Sequence, residues 1–182
     1  LVKNENLNSV ILKIDIDQGE AAKIKKIIFV GDKKIKDKKL LEVIASEEDR
    51  FWKFISKKVY LNELTINLDK RLLENYYKNL GYYNVKILDS FAQYDNSLNN
   101  FKLVYNINAG EKFFFNELIL NLPDEYDSKN FDKVREIFTN LKNEKFSLDN
   151  LNEILEEIDR IASSKLYDFI DIKVDEKIFD NK

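Results

Sequence analysis

The chain has 182 residues, 44% hydrophobic and 35% charged, with 30 Lys and Arg against 33 Asp and Glu for a formal net charge of -3. This is the composition of a globular chain of one or two domains. It contains no Cys, His or Met and only four scattered Gly, which excludes Cys-His zinc sites, thiol nucleophiles and Ser-His-Asp triads and argues against a glycine-rich phosphate cradle.

With no Met anywhere, residue 1 is expected to lie inside a longer chain, and no apolar run reaches the roughly 18 residues that span a bilayer. Residues 9–17 open the pattern. Val10, Leu12, Ile14 and Ile16 share one face of a strand that meets a turn at Gly19 and Glu20. A second apolar strand is expected over Ile24 to Val30, then a helix capped by Asp37 and carrying Leu40, Leu41 and Ile44. The connection that follows holds Phe51, Trp52 and Phe54, an aromatic cluster that includes the one Trp of the chain. A longer helix follows with Leu61, Leu64, Leu68, Leu72, Tyr76 and Leu80 as its apolar stripe, and Gly81 ends it as a left-handed C-terminal residue. A strand over 84–94 then turns through 95–100 into a strand over 101–108.

At that point the pattern repeats: residues 101–111 reproduce 10–20 at a constant offset of 91 residues, down to a second Gly-Glu at Gly110 and Glu111. A strand is expected over Phe113 to Leu122, a helix capped by Ser128 with Phe131, Val134, Phe138 and Leu141, and a second helix capped by Ser147 with Leu151, Ile154, Leu155, Ile158 and Ile161. A last strand is expected near Tyr167 to Val174. The expected fold is therefore α+β. Residues 1–20 close a preceding unit, 21–110 form one whole unit of order strand, helix, helix, strand, strand, and 111–182 form a following unit without its last strand. Each unit is a three-stranded mixed sheet covered on one face by two helices.

Acidic side chains are plentiful, but Glu47, Glu48, Asp49, Asp124, Glu125 and the acids of 153–159 fall on helix ends and polar helix faces, which is solvation rather than general acid-base chemistry. No catalytic residue, metal or cofactor is expected. The lysines between 23 and 39 read as a solvated face, because only four of the 30 cations are Arg and the chain is acidic overall; no nucleic-acid partner is expected. Phe51, Trp52 and Phe54 read first as packing of the inter-helix connection and second as a docking surface. An edge strand survives as a functional candidate. In a three-stranded sheet two strands are edges, and an edge offers unpaired N-H and C=O groups to an extended segment of another chain. The strand over 84–94 is the choice, with Val85, Ile87, Leu88, Phe91 and Tyr94 as candidate contacts, since Lys86 is its one basic residue and it has no Pro.

The sequence resembles tandem POTRA domains of the BamA family, the polypeptide-transport-associated repeats that precede an outer-membrane β-barrel. The resemblance is carried by Ile27 to Asp32, similar to an apolar strand ending in Gly-Asn, by Asp37 to Leu41 opening the first helix, by Asn75 to Tyr82, similar to a tyrosine-rich helix end followed by Gly-Tyr, and by the closing strands Val10 to Glu20 and Phe101 to Glu111. The Phe51 and Trp52 cluster and the long second helix make 21–110 look like the third repeat and 111–182 like the fourth. The second unit departs from the pattern, with Leu122 and Pro123 where the first has Gly31 and Asp32, and with Lys165 to Tyr167 in place of Leu80 to Tyr82.

The resemblance implies a non-enzymatic, periplasmic part of an outer membrane protein in a Gram-negative envelope, a chaperone-like scaffold whose own C-terminal barrel lies in the outer membrane. It implies unfolded outer membrane proteins and accessory lipoproteins as partners, bound by β-augmentation along Val85 to Tyr94 with Phe91 and Tyr94 adding apolar contact. The fragment itself is expected to be a monomer. The alternatives are a rigid spacer that binds no client, or a substrate-docking domain of a TamA-like or two-partner-secretion transporter.

Overall fold

The computed structural model describes residues 2–4, 9–15, 23–50, 56–97, 100–165, 167 and 171–179. Val2–Asn4 (β1) and Ser9–Ile11 (β2) form a short antiparallel pair that the repeat pattern does not announce. The first whole unit then runs Ile24–Asp32 (β3), Asp37–Val43 (α1), Glu63–Asn79 (α2), Lys86–Asp95 (β4) and Asn100–Asn108 (β5), with a short 3-10 turn at Lys57–Val59. β5 is central, parallel to β3 and antiparallel to β4. The parallel pair is possible because α1 and α2 make the long return across one face.

That face is the core. Ile27 and Phe29 of β3 and Leu103, Tyr105 and Ile107 of β5 alternate inward, and they bury against Leu40 and Ile44 from the α1 segment and Leu73 and Tyr77 of α2. The β-α-α-β-β unit is the one expected. Its α2 stripe is not. The expected Leu64 is 80% exposed and Leu68 is 38% exposed, the expected Leu61 and Tyr76 pack half-buried against the core, and Asp69, Leu73 and Tyr77 face inward. The buried face is rotated by about one residue because it includes a carboxylate, which a count of apolar positions passes over.

The helix ends follow local rules. Asn62 caps α2 by accepting from Leu64 N and Thr65 N. At the other end Gly81 has φ +97°, and its N-H donates to Lys78 O while Tyr82 N donates to Tyr77 O. That double bond is the Schellman closure expected of a glycine at this position, with the Tyr82 ring set edge-on to Tyr77. Asp37 lies inside the first turn of α1 rather than capping it; the cap position is Lys36, which makes no side-chain bond there.

The following unit contains a 3-10 turn at Ser128–Phe131, then Asp132–Leu141 (α3) and Leu148–Ser164 (α4). Asp127, one residue before the expected Ser128, accepts from Lys129 N to open the turn, whereas Ser147 caps α4 as expected. Phe131, Val134, Ile154, Ile158 and Ile161 form its core, with Leu120, Leu122, Tyr167 and Ile172 against it. The strands expected over 113–122 and 167–174 do not form a ladder among the described residues; Phe114 makes one isolated bridge, to Lys145. In the first unit the inner edge of β3 is satisfied by β5, whose Leu103 pairs with Ile27, and no described segment supplies that central strand to 113–122.

Candidate functional site: an open strand edge

The sheet has two edges, and the chain treats them differently. Along β3 the outer side is occupied: Asp49 N donates to Ile24 O at 2.7 Å, the Glu48 carboxylate accepts from Ile27 N at 3.1 Å, and Tyr60 bridges Lys23. Glu48, Asp49 and Tyr60 therefore close the first half of that edge, in the manner by which natural sheets protect an edge. Along β4 no described strand pairs with the outer side.

β4 is held from within. It pairs with β5 from Lys86↔Asn108 to Asp95↔Asn100, interrupted by a bulge between Ile87 and Asp89 that leaves Leu88 outside the register. Val85, just before the strand, is buried at 6%, and Ile87 packs on the core, so these two residues anchor the strand's first turn of pleat. Leu88, Phe91 and Tyr94 are 57%, 48% and 44% exposed. Of the five expected contact residues the structure thus brings three to the surface and two inward. The Tyr94 ring leans on Phe101 of β5, with centroids 5.1 Å apart. Lys86 is the one basic residue of the strand and no Pro interrupts it; Asp89 Oδ1 accepts from the adjacent Ser90 N. Phe51, Trp52 and Phe54 lie outside the described residues.

A second feature near β4 escaped the sequence reading. Asn79, the last residue of α2, accepts from Asp149 N at 2.9 Å and from Ser147 Oγ, and donates to Asp149 Oδ2 at 2.7 Å. It therefore joins the N-terminus of α4 to the C-terminus of α2. Beside it Tyr83 meets Phe113 and Phe146 at ring distances of 5.7 and 4.9 Å, Phe115 meets Phe146, Tyr83 OH bonds Glu176, and Phe113 N donates to Gly81 O. The only signal in the sequence was the group Tyr76, Tyr77, Tyr82 and Tyr83 around Gly81, which reads as core and helix-end packing rather than as a joint between units.

Among the described residues no three acidic side chains converge to hold a metal, and no helix is long and apolar enough to cross a membrane. The surface offers backbone edge and aromatic contact, the chemistry of peptide recognition.

The model of the POTRA family, described as a surface antigen variable number repeat, matches residues 22–110. The chain is 24% identical over 169 residues to the outer membrane protein assembly factor BamA of Neisseria meningitidis serogroup B, an overlap of 92% of this chain and 21% of that protein. It is also 24% identical over 172 residues to BamA of Buchnera aphidicola, covering 92% of this chain and 26% of the relative. The chain thus spans about a quarter of the length of these relatives. A crystal structure of the third to fifth POTRA domains of Haemophilus influenzae BamA has the same fold, with a TM-score of 0.59 at 18% identity over 82% of this chain and 56% of that one.

Proposed function

From the premise that residues 22–110 belong to the POTRA family and that this chain carries POTRA domains of the BamA type, we propose that it is a periplasmic scaffold of an outer-membrane protein assembly machine, and that β4 receives extended segments of unfolded outer membrane proteins or of accessory lipoproteins. The observation that carries this reading is the asymmetry of the two edges: β3 is met on its outer side by Glu48, Asp49 and Tyr60, and among the described residues no strand pairs with the outer side of β4. Main-chain bonding along an edge recognises extended conformation rather than side chains. One edge can therefore take many unrelated clients. The ordering cost of a flexible client offsets much of the gain, which keeps such binding weak and reversible. That suits a station from which clients move on toward a barrel in the membrane.

The test is an amide chemical-shift titration of the chain with a synthetic peptide copied from an outer-membrane barrel strand. Shifts are expected along Lys86–Asp95 and not along Ile24–Asp32. Proline scanning sharpens the result, since successive N-H groups on a strand alternate between the neighbouring strand and the open side. Of Phe91→Pro and Ala92→Pro, one removes a bond to β5 and damages the sheet, and the other removes an outward donor. The variant that keeps its far-UV spectrum is expected to lose peptide binding at least tenfold; full binding by that variant would sink the reading.

The rigid-spacer reading is favoured by a different observation, the Asn79 and Tyr83 joint, which ties α2 to α4 and Phe146 by hydrogen bonds and ring contact. A peptide titration that moves no β4 amide selects it.

A further inference from the structure

The face of the sheet turned away from α1 and α2 is ruled in rungs, because β3, β5 and β4 lie in register across it. One rung is Lys26, Lys102 and Gln93. The next is Ile28, Val104 and Phe91, and the one beyond is Val30, Asn106 and Asp89. A single rung is therefore apolar from edge to edge, with polar neighbours beside Phe91 on both sides along β4. Val104, in the middle of this rung, is only 8% exposed and lies outside the core cluster on the helix side. Phe91 stands at the outer end of this rung, 48% exposed.

A strand added to β4 prolongs every rung by one residue, and directly opposed side chains on one face are the pairs that stabilise a sheet. We infer that Phe91 is the specificity-determining residue of the edge: it selects, and sets the register of, an extended peptide that places one large apolar side chain on the open face opposite Phe91. Positions two residues to either side of that anchor meet Asp89 and Gln93 and take polar side chains. On the helix side the added strand meets Ser90 and Ala92 nearest the anchor, both half-buried and small, and Tyr94 farther along, whose ring leans on Phe101. The ligand class is an extended peptide with an apolar anchor. This deepens the strand-addition reading and rests on it.

The test uses two peptides of about twelve residues, alternating Thr and Ser, identical except that one carries Phe at its centre where the other carries Ser. Affinity is measured by fluorescence anisotropy and the site by β4 amide shifts. The chain as it stands should prefer the Phe peptide about tenfold, from one opposed apolar pair and the area it buries. Phe91→Ser, at a half-exposed position, should keep the far-UV spectrum and reduce that preference below about twofold while both peptides still move β4 amides. Val30→Ser, on the same face but at the far edge, should leave the preference unchanged. If Phe91→Ser keeps the tenfold preference, or if the unaltered chain has none, the anchor role is overturned while strand addition stands. If neither peptide moves β4 amides, strand addition fails and the anchor role fails with it.

Discussion

Asp69 is the residue on which the first unit's interior depends most. It is fully buried, and its Oδ1 accepts from Ala45 N at 2.6 Å and Ser46 N at 3.1 Å while Oδ2 accepts from Tyr105 OH at 2.6 Å. One carboxylate thus joins α2, the chain leaving α1 and the central strand. Burial, then the bond to Asp69, push the Tyr105 phenol well above its ordinary range, so it stays a donor at all working pH values. Asp69→Ala strands three donors in the core and is expected to cost about 3–5 kcal/mol in chemical denaturation. Tyr105→Phe leaves the carboxylate its two backbone donors and is expected to cost about 1–2 kcal/mol; equal losses would show that the phenol, not the backbone donors, is what matters. In the second unit Glu157 is pulled down to about 2 by its bond from Arg160, against the desolvation that raises it, with Lys133 of α3 adding to the fall. Its folded value lies below the unfolded one, so the stabilisation is complete above about pH 4.5 and is lost as pH falls toward 2. Since Lys133 and Arg160 are largely exposed, the contribution is screened to about 0.5–1 kcal/mol. Glu157→Gln should lower the thermal midpoint at pH 7 and leave it nearly unchanged at pH 2.5.

At the scale of elements, legibility in the sequence followed how local the determining physics is. The Gly81 closure and the Ser147 cap rest on bonds within a few residues, and both were readable. The hairpin of β4 and β5 was readable within two residues because its faces alternate. The α2 stripe was misplaced because Asp69 behaves as a core residue only through partners 24 and 36 positions away. The strand over 113–122 has the right composition, but a strand is completed by a neighbour, and its own pattern does not say whether one is within reach. The edge itself was legible as a choice between two strands; that Glu48, Asp49 and Tyr60 close one of them was not. Gly31 is where an element depends on a single missing atom. Its φ is +87°, and a Cβ there would lie 2.3 Å from Ile107 O, the carbonyl of its partner on β5. Gly31→Ala should therefore strain the end of the parallel ladder and cost about 2–4 kcal/mol. Gly110→Ala, at φ +68° with nothing within 4 Å, should cost only about 1 kcal/mol. A urea series on the two variants distinguishes close approach from backbone conformation alone.

At the scale of the whole molecule, the question is whether an edge on one unit can stand in a fixed relation to the next unit. A hinge needs a connection whose contacts survive rotation. Here the connection at Gly110 is short, and on either side of it the Asn79 amide grips α4 through three bonds while Tyr83 sits between Phe113 and Phe146. Rotation would break directional bonds and open an aromatic cluster together, so both must fail before the units move. The chain has no Cys, so two introduced cysteines label without interference. Arg71→Cys on α2 and Asp159→Cys on α4, both at exposed positions, place one spin label on each unit. The distance distribution between them should be narrow and single. Asn79→Ala alone is expected to cost about 1 kcal/mol, as for the loss of a helix cap, with little broadening because the rings remain. Asn79→Ala combined with Tyr83→Ala should widen the distribution by several ångströms, since removal of an edge-on aromatic contact adds about 1 kcal/mol and the exclusion of water with it. Should the double variant keep the narrow distribution, the backbone around Phe113 N and Gly81 O fixes the angle by itself. Should the unaltered chain already be broad, the joint is a hinge, and β4 presents its edge to clients over a range of angles instead of one.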